Sequence, residues 1–136
     1  MRLKGLAALM VLGGCAAQNG VRPLRPLEIA TAPYQQVATS AMTGTLMYEG
    51  GCLLFHDEAS GLNFMPVLPF GSSFNGTAVL FHKPGRSDQW VAVAQELFIE
   101  GQPIGWPTLR SRTYQPFHHQ CGGFTPFFIS AVTPAN

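Results

Sequence analysis

Two apolar runs separated by a pair of glycines form the clearest pattern of hydrophobic and polar positions in the chain. Residues 45–49 and 52–56 are rich in side chains that favour strands, and Gly50 and Gly51 stand between them. Glycine readily adopts the positive φ that a two-residue hairpin turn requires. The sequence therefore predicts a β-hairpin over residues 45–56.

Five further apolar runs predict strands at residues 62–68, 77–82, 90–94, 97–99 and 124–132. Pro66 restricts the first of them to a sheet edge or a bulge, because proline lacks an N–H group. Residues 69–76 are predicted to be a loop. Residues 90–99 also fit one face of a helix, but their β-branched and aromatic side chains favour strand. Turns about every ten residues predict an all-β fold, a small antiparallel barrel or sandwich with room for one short helix.

The composition restricts the class of protein. Only 11% of the 136 residues are charged, against about 25% in an average globular protein. So low a charge content argues against a disordered chain and against a nucleic-acid binder. A chain of this length forms one compact domain at most.

The N-terminus has the pattern of an export signal. Arg2 and Lys4 precede an apolar run over residues 6–12, which ends in two glycines and Cys15. A membrane-spanning helix needs about 20 apolar residues, whereas a shorter run behind positive charges is typical of a secretory signal peptide. Residues 1–14 are therefore predicted to be a signal peptide.

The sequence Leu12, Gly13, Gly14 and Cys15 resembles the lipobox of bacterial lipoproteins. The resemblance implies that the mature protein begins at Cys15 and that acyl chains on this cysteine anchor it in a membrane of the cell envelope. Ala16 after the cysteine implies the outer membrane, with the protein facing the periplasm. The alternatives are a plain secretory signal cleaved near Ala16 and a cytosolic protein with an apolar N-terminus. The resemblance ends at the cysteine and identifies no domain family beyond it.

The mature chain divides into a tether and a globular domain. Residues 15–43 are predicted to be the lipidated cysteine and an extended tether, because they contain three prolines and little apolar periodicity. Docking of the tether on the domain, near residues 27–29 or 34–42, is the open alternative. Residues 44–136 are predicted to be the β-rich domain.

The charge balance bears on the partners. Without residues 1–14, six basic residues stand against seven acidic ones, so the mature protein is nearly neutral. This balance argues against a basic patch for phosphates or anionic headgroups, and membrane contact is expected to come from the acyl chains. The other expected partner is an envelope protein or a glycan.

With Cys15 acylated, Cys52 and Cys121 remain as an even pair in an exported chain, which predicts a disulfide. On the chain-entropy model a bond that closes a loop of about 70 residues stabilises a fold by about 4 kcal/mol. It would also close the sheet into a barrel of the size of an oligonucleotide/oligosaccharide-binding fold. Two separate buried thiols are the alternative. A metal site of Cys121 with His118 or His119 lacks the two spaced ligand pairs of a zinc site.

The four histidines are His56, His82, His118 and His119. They could converge as metal ligands or general bases, since imidazole titrates near neutral pH, with His56, His118 and His119 as the candidates. Asp57 and Glu58 follow His56, but a solvated turn explains these neighbours better than an acid–base pair. The chain contains no complete catalytic motif, and no cofactor is predicted.

Large aromatic rings are concentrated near the C-terminus, at Trp106, Tyr114, Phe117, Phe124, Phe127 and Phe128. A small domain buries a limited share of its surface. Surplus rings on one face would form a patch for a protein, a glycan or a membrane surface, with Trp106, Tyr114, Phe117 and Phe124 as the binding candidates. The alternative is that these rings form the core.

The sequence thus predicts a lipid-anchored envelope protein that acts as a structural or binding module. The competing prediction is a small envelope hydrolase or metal-dependent enzyme that uses the histidines. A shared histidine site in the folded chain would favour the enzyme.

Overall fold

A computed structural model describes residues 20–36 and 38–135, so the predicted signal peptide and Cys15 lie outside the described residues. The strands are β1 (Ala30–Ala32), β2 (Ser40–Glu49), β3 (Cys52–Asp57), β4 (Asn63–Pro69), β5 (Ser73–Phe74), β6 (Ala78–Phe81), β7 (Gln89–Ala92), β8 (Glu96–Pro103) and β9 (Thr125–Pro134). Two 3-10 turns, Trp106–Thr108 and Arg112–Tyr114, precede the short helix α1 (Gln115–Cys121). The prediction of an all-β fold with one short helix is confirmed. No helix in the described part of the chain is long and apolar enough to cross a membrane.

Five strands form a closed ring, in the order β4-β3-β2-β8-β9, which closes because β9 also pairs with β4. The closing pair is parallel and runs from Phe64 opposite Thr125 to Val67 opposite Phe128. Strand β1 adds a second parallel pair at the end of β4. A small barrel is therefore confirmed, but its sheet is mixed and not wholly antiparallel. Parallel strands need a long crossover, and residues 70–124 supply it.

Glycines shape the first hairpin at its turn and in its first strand. Gly50 and Gly51 have φ values of 61° and 80°, and Glu49 pairs with Cys52, so the predicted hairpin is confirmed. In the middle of the ring, Gly44 lies where β2 pairs with both β3 and β8. A Cβ atom on Gly44 would lie 1.7 Å from the carbonyl oxygen of His56. The strands approach so closely here that only glycine fits.

Residues 69–76 and 90–99 both contain strands. The stretch 90–99 is strand, because β7 and β8 occupy it with a short turn between them. The loop predicted over residues 69–76 is wrong at β5, which pairs with β6 through a turn held by the Asn75 side chain. Pro66 lies between the part of β4 that pairs with β3 and the part that pairs with β1, a gap that suits a residue without an N–H.

The main core fills the ring. Strand β8 alternates buried Leu97 and Ile99 with exposed Phe98, as a strand with one face inward does. The small antiparallel sheet β5-β6-β7 packs against the same core through its apolar side chains, which are Phe74, Val79, Phe81 and Val91. This sheet therefore belongs to the barrel's core, although it lies outside the ring.

Ala94, in the turn between β7 and β8, offers a test of this backbone geometry. Its φ of 71° is left-handed, which costs an L-residue with a Cβ about 1–2 kcal/mol. We expect Ala94→Gly to raise the free energy of unfolding by about 0.5–1 kcal/mol, because the relieved strain exceeds the extra entropy of the unfolded chain. Urea denaturation of the oxidised protein measures this change.

The matched control is Ala92→Gly, the same chemical change at an exposed position of strand β7. This variant should lose about 0.5–1 kcal/mol, because glycine weakens a strand interior. A loss of stability in Ala94→Gly equal to that in Ala92→Gly would contradict the left-handed turn.

Candidate functional site

A second core lies on the outer face of the ring and is covered by two segments of the chain. Residues 20–36 and 104–124 together form this layer, which we call the cover. The ring contributes Met47, Cys52, Leu54, Met65, Val67 and Phe128 to the second core. The cover contributes Leu24, Ala30, Ala32, Tyr34, Ile104, Trp106, Leu109, Tyr114, Phe117, Cys121 and Phe124. Strand β3 is buried almost throughout, as expected for a strand with apolar layers on both faces.

Specific bonds fix the cover in place. Cys52 on β3 and Cys121 at the end of α1 form a disulfide with their Cα atoms 6.0 Å apart, which confirms the predicted pair. The Tyr114 hydroxyl donates to the carbonyl oxygen of Thr31 at 2.8 Å and joins the two segments. Burial raises the pKa of Tyr114 above its usual value, so the phenol remains a donor at neutral pH. The cover is thus tied both to the ring and within itself.

The N-terminal half of the cover occupies much of the predicted tether. Strand β1 pairs with β4, and the backbone N–H of Leu27 donates to the Tyr48 hydroxyl at 3.0 Å. Arg22 forms a bidentate pair with Glu28, and this hydrogen bonding lowers the pKa of the Glu28 carboxyl. Residues 20–36 are therefore docked on the domain and do not form an extended tether. Strand β2 begins at Ser40, ahead of the expected domain start at residue 44.

The histidines have separate neighbours. His56 donates through Nδ1 to Asn63 Oδ1 at 2.7 Å, while His82 Nδ1 is hydrogen-bonded to Asp88 Oδ1, also at 2.7 Å. The His118 ring stacks on Trp106 with the ring centres 4.5 Å apart, and His119 is exposed on the same helix. Within residues 20–36 and 38–135, no three His, Cys, Asp or Glu side chains are grouped so as to hold a metal ion.

The carboxylates next to His56 differ in their roles. Asp57 is 6% exposed and accepts hydrogen bonds from the backbone N–H and the hydroxyl of Ser60, so it holds the turn that follows β3. Glu58 is exposed, and desolvation together with the nearby carboxylate of Glu96 raises its pKa. Asp57 thus has a structural partner in Ser60, while Glu58 lies on the surface beside Glu96.

The aromatic binding candidates lie in the cover. Phe117 is buried, and Trp106, Tyr114 and Phe124 are half-buried against the second core. The Trp106 indole N–H donates to the carbonyl oxygen of Phe124 at 2.9 Å. These rings therefore pack as core residues, and the three most exposed large apolar side chains stand elsewhere, at Leu62, Phe70 and Trp90.

The position of the cover bears directly on ligand binding. Five-stranded barrels of the oligonucleotide/oligosaccharide-binding fold bind ligands on the face of their second and third strands, between the first and fourth loops. In this ring those strands are β3 and β4, and those loops are the Gly50-Gly51 turn and residues 104–124. The cover occupies that face, and the disulfide links β3, directly after the turn, to the longer loop. The chain's own side chains thus fill the face that such barrels present to a ligand.

Comparison of the chain with protein-family models, curated proteins and solved structures found no match. The candidate site is therefore defined by the geometry of the cover, its bonds to the ring and the side chains on its outer side.

Tyr114→Phe tests the bond that joins the two halves of the cover. The variant keeps the ring and leaves the Thr31 carbonyl without its donor, which should lower the free energy of unfolding by about 1–3 kcal/mol. The control is Tyr34→Phe, because the Tyr34 hydroxyl has no hydrogen-bond partner among the described residues. Equal stability of the two variants in denaturant titrations would show that the Tyr114 bond does not hold the cover.

Proposed function

We propose that the protein is an exported, lipid-anchored module of the bacterial envelope, held by acyl chains on Cys15 at the periplasmic face of the outer membrane. The observation that carries the proposal is the sequence Leu12, Gly13, Gly14 and Cys15 behind a short apolar run. The Cys52–Cys121 disulfide supports it, because such bonds persist in oxidising compartments such as the periplasm.

The module has a structural or binding role, and its partner is an envelope protein or a glycan. Support comes from the rigid barrel, whose two apolar cores are filled by the chain's own side chains. Partner contacts then fall on outward-facing groups, such as the exposed Phe70 and Trp90 rings. Exposed aromatic planes suit contact with both proteins and sugars.

The competing function, a hydrolase or metal-dependent enzyme, receives no comparable support. It requires histidines that share a site, but His56, His82 and His118 are each engaged with a different neighbour. Desolvation and the nearby Glu96 carboxylate raise the pKa of Glu58, but a carboxyl group without a positioned nucleophile or metal is a weak basis for catalysis.

Cys15→Ser tests the anchor. Wild-type protein extracted from membranes should have the intact mass of a chain that starts at Cys15 with acyl chains added. The variant should carry no acyl mass, because serine lacks the thiol that forms the thioether, and should leave the detergent-soluble membrane fraction or remain unprocessed. The disulfide should add two daltons on reduction in both proteins. A wild-type chain without acyl mass would overturn the proposal.

A further inference from the structure

Charge is distributed unequally between the cover and the rest of the fold. The cover contains four arginines (Arg22, Arg25, Arg110 and Arg112) and a single acid, Glu28, for a net charge of +3 with histidines neutral. The other described residues contain two basic side chains, Lys83 and Arg86, and six acids, for a net charge of −4. The near-neutral sum therefore conceals a dipolar molecule whose positive side is the cover.

The chain also enters the fold on the cover. Val21 lies in a shallow depression with Gln115, His118 and His119 of α1. A neighbouring depression is lined by Gly20, Val21, Arg22, Arg112, Gln115 and Pro116. Gly20 and Val21, the first described residues after Cys15, therefore lie beside the arginine side chains of the cover.

The remaining tether is short. Four residues lie between Cys15 and Gly20, which makes five steps along the chain. An extended chain spans at most about 3.6 Å per step, or about 18 Å in all. The potential of an anionic membrane decays over about 8–10 Å at physiological salt. An acylated Cys15 thus keeps this side of the fold within about 18 Å of the lipid surface and allows it to come within the range over which membrane charge acts.

We propose that the cover docks on the surface of an anionic phospholipid bilayer, the membrane in which the acyl chains of Cys15 insert. Arg110 and Arg112 are exposed, and guanidinium groups bind phosphate through paired N–H donors. The proposal rests on the proposed lipid anchor and adds to it a defined orientation, with the cover toward the lipid and the acidic barrel away from it.

The acids nearest the docking surface do not cancel its charge. Residues 104–124 contain no Asp or Glu. Glu28 is already paired with Arg22. Glu49 adjoins the Gly50 carbonyl that accepts from Gln120, at the border of the cover. The guanidinium groups of Arg110 and Arg112 form no salt bridge among the described residues, so they are free to meet lipid phosphates.

The two tryptophans report the orientation. Trp106 lies in the cover, whereas Trp90 lies on β7 in the small sheet and is 57% exposed. The lipidated full-length protein is reconstituted on vesicles of phosphatidylcholine alone or of equal parts phosphatidylcholine and phosphatidylglycerol, with a dansyl headgroup label as energy acceptor. Trp90→Phe leaves Trp106 as the donor, and Trp106→Phe leaves Trp90. On anionic vesicles, energy transfer should be greater from Trp106 than from Trp90.

Charge variants are made in the Trp90→Phe protein, so the test stands even if Trp106→Phe does not fold. R110Q/R112Q should lower the ratio of docked to undocked protein on anionic vesicles about thirtyfold, since each arginine near such a surface contributes about fivefold. K83Q/R86Q is the matched control, because it removes the same charge outside the cover. The Lys83 ammonium group lies 5.8 Å from the centre of the Tyr34 ring, so this basic pair adjoins the cover without belonging to it. The control therefore also shows whether basic side chains at the border of the cover contribute to docking.

Flotation separates the two possible failures. Protein that does not float with neutral vesicles has no lipid anchor, which overturns the proposed function and the docking with it. Protein that floats, but shows the same Trp106 transfer on neutral and anionic vesicles, keeps the anchor and overturns the docking. Equal losses in R110Q/R112Q and K83Q/R86Q would likewise overturn the assignment of the docking surface to the cover.

Discussion

The packing of the cover on the outer face of β3, β4 and β9 is the interaction on which the rest of the structure depends. Without it, the ring would expose a continuous apolar face of Leu54, Met65, Val67 and Phe128 to water. A small domain with a single core buries so little surface that its fold is only marginally stable. The second core enlarges the buried area, and the disulfide between β3 and α1 ties the two layers together.

The same interaction bears on the proposed membrane anchor. The cover fills the face on which barrels of this size bind ligands, and it places four arginines on one side of a molecule with little net charge. It also receives the chain that arrives from Cys15. The layer that stabilises the barrel is therefore also the surface that we propose to dock on a membrane.

Local signals predicted the local parts of the structure. The hairpin was predictable because its turn requires positive φ values at two residues, and both are glycine. The disulfide was predictable because the proposed acylation of Cys15 leaves Cys52 and Cys121 as the one remaining pair of cysteines. The parallel pairing of β4 with β9 was not predictable, because the partners are far apart in sequence and no turn joins them. The cover was missed for a related reason, since the rings of residues 104–124 resemble surplus aromatics until the apolar face beneath them is known. Arg110 and Arg112 were counted only in the net charge, although the sequence shows that residues 104–124 around them contain no Asp or Glu.

Amide hydrogen exchange of the oxidised protein and of the reduced, alkylated protein tests most directly whether the cover is a separate layer held by the disulfide. Protection against exchange measures local opening of the fold. Reduction should accelerate exchange in residues 20–36 and 104–124, while β2 and β8 of the ring should remain protected. Unchanged exchange in the cover, or equal loss of protection in the ring strands, would contradict this prediction.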